Sequence, residues 1–150
     1  MNAVIHSLSY GEHRLRFLKG PRFDGDLPWW FAEDVLNCVA DLLGRPERME
    51  MMLQHLIAGC PVEDRVDIAV PGHDVGTRGD VGTRDLATRT AVSEFEIWPI
   101  IMALGDTRHG PLQALGHWFL DAAEEATVAV GGDVEFACAR RGVSLDRDRS

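Results

Sequence analysis

The chain of 150 residues is short of paired cysteines, of positive charge and of long apolar runs, and each shortage narrows what it can be. Its three cysteines, Cys38, Cys60 and Cys138, are odd in number and widely spaced, and Cys38 falls inside a helical pattern. That argues against a disulfide framework, reads each thiol as a small core hydrophobe, and points to a reducing, cytoplasmic setting. No apolar stretch reaches the roughly 18 residues that a membrane-spanning helix needs. The first residues, Met1 to His13, lack a basic segment followed by a long apolar one, so no secretory signal is expected.

Positive charge is scarce. Lys and Arg total 15 against 24 Asp and Glu, a formal net charge of −9. Residues 1–60 carry 6 basic and 8 acidic side chains, 61–110 carry 5 and 9, and 111–150 carry 4 and 7. No segment is basic overall, so any nucleic-acid contact has to come from a local patch.

Signatures of catalysis and metal binding are missing as well. The histidines (His6, His13, His55, His73, His109, His117) are scattered, with no His-Glu-x-x-His and no Cys-x-x-Cys. There is no Gly-x-Ser-x-Gly elbow. Asp121, Glu124 and Glu125 read as a solvated helix face. No catalytic residue, metal or cofactor is expected, and the chain reads as a binding protein rather than an enzyme.

What is present is a core. The 45% hydrophobic content suits one globular domain. The stretch from Pro28 to Gly44 organises it: Trp29, Trp30 and Phe31 form a large apolar strand end, and Val35, Val39 and Leu42 beside Leu36, Ala40 and Leu43 make a wide helical face. Gly44 stands where a left-handed helix cap is wanted. Before it, residues 2–10 read as a strand, Gly11-Glu12 as a turn, and Arg14–Leu18 as a second strand with Leu15 and Phe17 inward and Arg14 and Arg16 outward. After it, Pro46 opens a second helix carrying Met49, Met52, Leu53, Leu56 and Ile57, closed by Gly59. Met49 and Met52 at this spacing read as core filler.

Val66, Ile68 and Val70 alternate as a strand. The five residues Asp-Val-Gly-Thr-Arg then occur twice, at 74–78 and 80–84, as the tip of a long hairpin that fits neither a calcium loop nor a phosphate loop. Ser93 and Glu96 form a capping-box pattern. Pro99 allows either a helix from Glu94 with a proline in its second turn or a shorter helix starting at Pro99. Gly105 to Gly110 reads as a break, Leu112, Leu115, Phe119, Ala122 and Ala126 as a long final helix, and Gly131-Gly132 as its stop. The expected fold class is α+β: a small antiparallel sheet with a long β-hairpin, packed against a helix pair and C-terminal helices. One domain spans residues 1–132, and residues 133–150 form a partly disordered C-terminal tail whose polar end, Ser144 to Ser150, frays.

Three segments carry a family resemblance. Trp29/Trp30, Phe31, Ala32, Asp34-Val35, Leu43 and Gly44 match the pattern "pWFvakDV…LG". Ser93-Glu94 and Ile97-Trp98, followed by Ile100-Ile101, match "sEsGLYrLI", with Glu96 in place of its Gly and Pro99 in place of a polar or basic residue. Trp118-Phe119 and Gly131 match "fxxWvxxeVLPsIRktG", with Ala126, Thr127, Val128 and Ala129 where Pro-x-Ile-Arg-Lys leads into the Gly. In this order they resemble the BRO-N domain of baculovirus repeated-ORF proteins and of phage and prophage antirepressors, over about residues 1–132. The resemblance implies a DNA-associated regulator of transcription.

The expected DNA contacts are Arg14, Arg16, Lys19 and Arg22 on the N-terminal hairpin, Arg78 and Arg84 on the long loop, and Arg89 on the return strand, neutralising phosphates with one arginine reading a guanine edge. The alternative is a protein-binding module whose acidic surface sequesters a repressor without touching DNA. A third reading is a homodimer pairing through a sheet edge.

Overall fold

Gly11, at φ 62°, folds the first two strands into a hairpin, and from there the sheet grows by antiparallel steps. The computed structural model describes residues 4–20, 27–71 and 86–141. The strands are β1 (Ile5–Tyr10), β2 (His13–Lys19), β3 (Pro28–Phe31), β4 (Arg65–Pro71) and β5 (Leu86–Ser93). They lie in the order β1-β2-β3-β5-β4, and every neighbouring pair is antiparallel. The helices are α1 (Ala32–Leu42), α2 (Met49–Ala58), α3 (Glu94–Asp106), α4 (Gly110–Ala129) and α5 (Val134–Arg141). A 3-10 turn at Pro46–Arg48 leads into α2 and another at Val62–Asp64 leads into β4. The fold is α+β, and β4 and β5 are the two arms of the expected long hairpin.

Strand alternation divides the apolar side chains between two sheet faces. Leu15 and Phe17 of β2, Trp30 of β3 and Val92 of β5 share one face with the main core. There they meet Val35, Cys38 and Val39 of α1, Ile97, Ile101 and Leu104 of α3, and Leu112, Leu115, Phe119 and Ala123 of α4. Leu18, Trp29, Phe31, Ala91 and Val70 form a second buried cluster on the other face, with Ile5, Val66 and Ile68 against it. Because β3 is central and apolar on both sides, Pro28–Phe31 is a continuous buried run rather than an alternating one.

Trp30 lies at the middle of the main core. Its ring packs on Phe17 at 4.9 Å and on Phe119 at 4.6 Å between centroids, and Trp118 extends the aromatic row to Tyr10. Its indole Nε1 donates to Glu94 Oε1 at 3.1 Å. A fully buried Trp keeps its N–H only where an acceptor reaches it, and Glu94 supplies that acceptor from the first turn of α3.

The helix ends follow their sequence signals. Gly44, at φ 74°, ends α1 with Arg45 N–H donating to the Ala40 carbonyl and Gly44 N–H to that of Asp41. Ser93 Oγ accepts from Phe95 N–H at 3.0 Å and caps α3, so that helix starts at Glu94 and Pro99 lies inside it, on its exposed side. One expectation is corrected. Gly105 belongs to α3 rather than to a break, and α4 crosses close against it because Gly116 lacks a side chain: a Cβ on Gly116 would stand 2.6 Å from Gly105 N and 3.1 Å from the Ile101 carbonyl oxygen. Within the tail, residues 134–141 form α5: Asp133 Oδ1 accepts from Phe136 N–H, and Ala137 is buried. The rest of that tail, 142–150, lies outside the described residues, as does the repeat at 74–84.

Candidate interaction surface

Arg16 is where the sequence reading fails most plainly. It was expected to point into solvent beside Arg14, but it is buried, at 6% exposure. It does point to the face opposite Leu15 and Phe17, as alternation requires, but that face is not open. The guanidinium carbon lies 5.1 Å from the centre of the Phe31 ring, its cross-strand neighbour. Nε donates to Asp34 Oδ2 at 2.8 Å and a terminal nitrogen to Oδ1 at 2.9 Å, a bidentate pair. The Arg16 backbone N–H also donates to Asp34 Oδ2, at 2.9 Å. Asp34 can do this because β3 runs straight into α1, which brings the helix's first turn back over β2.

Arg89 repeats the arrangement from the other side. It lies on β5, which flanks β3 opposite β2, and its Nε is 3.0 Å from Glu33 Oε1. The first turn of α1 therefore presents two adjacent carboxylates, and each takes an arginine from one of the two strands beside β3. Carboxylates at a helix N-terminus also meet the positive end of the helix dipole, so Glu33 and Asp34 are favoured there on two counts.

The remaining expected contacts do not gather. Arg14 and Lys19 are exposed, at opposite ends of β2 and on opposite sheet faces, about 17 Å apart by strand rise. Arg22, Arg78 and Arg84 lie outside the described residues. Of the four expected basic contacts that are described, two are tied to carboxylates and the other two are separated. Asp121, Glu124 and Glu125 lie exposed along the outer side of α4, as expected of a solvated helix face, while Arg45, Arg48 and Arg108 are exposed elsewhere on the chain.

The thiols are quiet. Burial, reinforced by Asp41, pushes Cys38 up to about 11, and burial, with Glu96 and Asp64 adding to it, pushes Cys60 up to about 11. Neither is a thiolate nucleophile at neutral pH. Among the described residues, no group of three or more His, Cys, Asp or Glu is placed to hold a metal ion, and no helix is long and apolar enough to cross a membrane.

Reading the chain as a string missed Glu33, Asp34 and Glu94 as partners. Their signal was present in part: three acidic residues in the first turns of two helices that directly follow strands. No protein-family model, curated protein or solved structure matches the chain.

Proposed function

We propose that this chain is a transcription-regulatory binding module of the antirepressor type, acting by non-covalent contact. The observation that carries the reading is the convergence of the three resembling segments on one side chain. Trp30, from the first segment, donates to Glu94 of the second and packs on Phe119 of the third. Segments far apart in sequence that meet at one buried residue behave as parts of one scaffold, and that supports the resemblance to the BRO-N domain beyond the separate matches.

In the first reading the module contacts DNA phosphates, with Arg14 and Lys19 on β2 joined by Arg22, Arg78 and Arg84. A specific observation favours a second reading, in which the partner is a basic protein such as a repressor. Arg16 and Arg89 are engaged by Asp34 and Glu33, and α4 shows Asp121, Glu124 and Glu125 to solvent. A chain of net charge −9 with two of its candidate phosphate-binding arginines so engaged attracts basic surfaces more readily than phosphates.

A fluorescence-anisotropy titration with mixed-sequence duplex DNA at low and at physiological salt tests the first reading. Binding at low salt that falls steeply with added salt supports it. No binding at either salt removes it. Capture of a helix-turn-helix repressor by the same protein, without a DNA shift, then supports the second. Failure of both tests removes the proposal.

A further inference from the structure

A half-open hollow of roughly 340 Å³ lies where β1 and β2 meet the last turn of α4. Val4, Leu18, Ala129 and Val130 give it apolar walls, and His6 and Lys19 give it polar groups. The grouping follows from register. His6 pairs with Phe17 and stacks on its ring, with centroids 5.3 Å apart and planes 18° apart. Lys19 is two residues beyond Phe17 and so shares that face. The hollow falls within the size range of small-molecule sites, which begins at about 300 Å³.

Its electrostatics favour an anion. Among the described residues, no carboxylate lines it and none is paired with Lys19. The C-terminal end of α4 should repel negative charge. That end is muted here, because Gly131 N–H donates to the Val128 carbonyl at 3.0 Å and Gly132 N–H to that of Thr127 at 2.9 Å. Gly131 reaches this geometry at φ 80°. With the Thr127 and Val128 carbonyls engaged, the helix end contributes to the hollow chiefly through the apolar side chains of Ala129 and Val130.

We infer that the hollow binds a small organic acid, its carboxylate held by Lys19 and His6 and its short hydrocarbon body lying against Val4, Ala129 and Val130. His6 donates from a ring N–H whether or not it is charged, and Phe17 holds the ring in place. Lys19 is the only lysine in the chain, so its contribution can be removed without touching another ammonium side chain.

The test is a titration with sodium hexanoate at low salt, followed by amide NMR, with hexanamide as the uncharged match. Saturable shifts confined to Val4, His6, Leu18, Lys19, Ala129 and Val130 are expected, and hexanamide should bind about tenfold more weakly, the worth of a charge-assisted hydrogen bond. Lys19→Gln should show the same loss with hexanoate. Ala129→Glu, at an exposed helix position, should abolish binding by placing a carboxylate at the rim. A thermal melt of each variant confirms the fold. The inference is overturned by hexanamide binding as tightly as hexanoate, by shifts elsewhere in the chain, by unchanged affinity in both folded variants, or by no saturable shift up to about 10 mM.

Discussion

Asp34 takes three hydrogen bonds from Arg16: one from its backbone N–H, one from Nε and one from a terminal guanidinium nitrogen, at 2.9, 2.8 and 2.9 Å. β3 ends at Phe31 and turns into α1, and its ladder with β2 ends at the Phe17–Trp30 pair, one residue short of Arg16. The Asp34 carboxylate stands in for the missing ladder bond and neutralises the arginine laid across Phe31. One side chain thus joins the end of the β2–β3 ladder, the helix start and a buried charge.

Removing that carboxylate leaves a buried guanidinium without its counter-ion. Asp34→Ala is expected to lower the unfolding free energy by about 3–5 kcal/mol, the usual cost of breaking a buried pair from one side. The double variant Arg16→Met/Asp34→Leu should recover much of the loss, because no unpaired charge remains. Urea unfolding of the two single variants, the double variant and the parent measures the coupling directly. A loss below 1 kcal/mol for Asp34→Ala contradicts the buried-pair account.

Trp30 makes a polar claim as well as an apolar one. Trp30→Phe keeps an aromatic ring against Phe17 and Phe119 but takes the indole N–H from Glu94, and it leaves space in the core. A loss of about 1–3 kcal/mol from the hydrogen bond to a buried carboxylate is expected, on top of the packing term. Making the same change in a Glu94→Gln background separates the two, since only the hydrogen-bond part depends on the residue at 94. If the cost of Trp30→Phe is identical in both backgrounds, the Trp30–Glu94 contact contributes no charge-assisted energy.

The parts legible from the chain alone were those set by short-range rules. Gly11, Gly44 and Gly131 marked turns and caps, and all three adopt positive φ. Ser93 marked the start of α3. Leu15 and Phe17 faced the core because alternation is local. Arg16 was misread because alternation tells which face a side chain takes but not whether that face is covered. Its partner Asp34 comes from a helix 18 residues away, and no periodicity records that distance. Gly105 was misread as punctuation because a glycine that ends a helix and one inside its last turn look alike in sequence. The fold tells them apart: Gly105 lies within α3, with Gly116 of α4 in close proximity to its backbone.

That proximity makes Gly116 sensitive. Gly116→Ala would bring a Cβ within 2.6 Å of the Gly105 backbone nitrogen and 2.9 Å of its Cα, and backbone atoms cannot swing aside. Forcing α3 and α4 apart should cost about 1–3 kcal/mol by overpacking, even though Ala is the better helix former. Gly110→Ala, where an added Cβ meets nothing within 4 Å, is the control and should cost far less. Thermal melts of the two variants side by side check the difference, and equal melting temperatures contradict the close crossing.

Glu96 gives the fold a pH dependence. Burial first, and the nearby Asp64 second, hold its carboxyl above the ordinary glutamate range. With the folded value raised, the stability that protonation contributes is fully present below the unfolded value and is lost as pH rises through the folded one. At neutral pH the ionised carboxylate is therefore a cost, and Glu96→Gln should stabilise the chain there. The advantage of the variant should shrink as pH falls and vanish below about pH 4, where both side chains are neutral. Urea unfolding of both proteins between pH 4 and pH 8 tests it, and a difference that stays constant across that range contradicts the assignment.

DNA binding, if it follows the first reading, should divide the arginines by their surroundings. Arg14 is exposed, so Arg14→Ala should weaken binding about equally for every duplex sequence and reduce the salt slope by about 1, as the loss of one phosphate contact does. Lys19→Ala should do the same from the far end of β2. Arg16 is held by Asp34 inside the fold, so Arg16→Met should leave the salt slope unchanged while lowering stability. Arg89, tied to Glu33, should behave like Arg16. Anisotropy titrations at four salt concentrations, each paired with a thermal melt, distinguish the two classes. A salt slope that falls for Arg16→Met as much as for Arg14→Ala would mean that Arg16 leaves Asp34 to meet the phosphate backbone, and the buried pair would then be the latch of a movable arm.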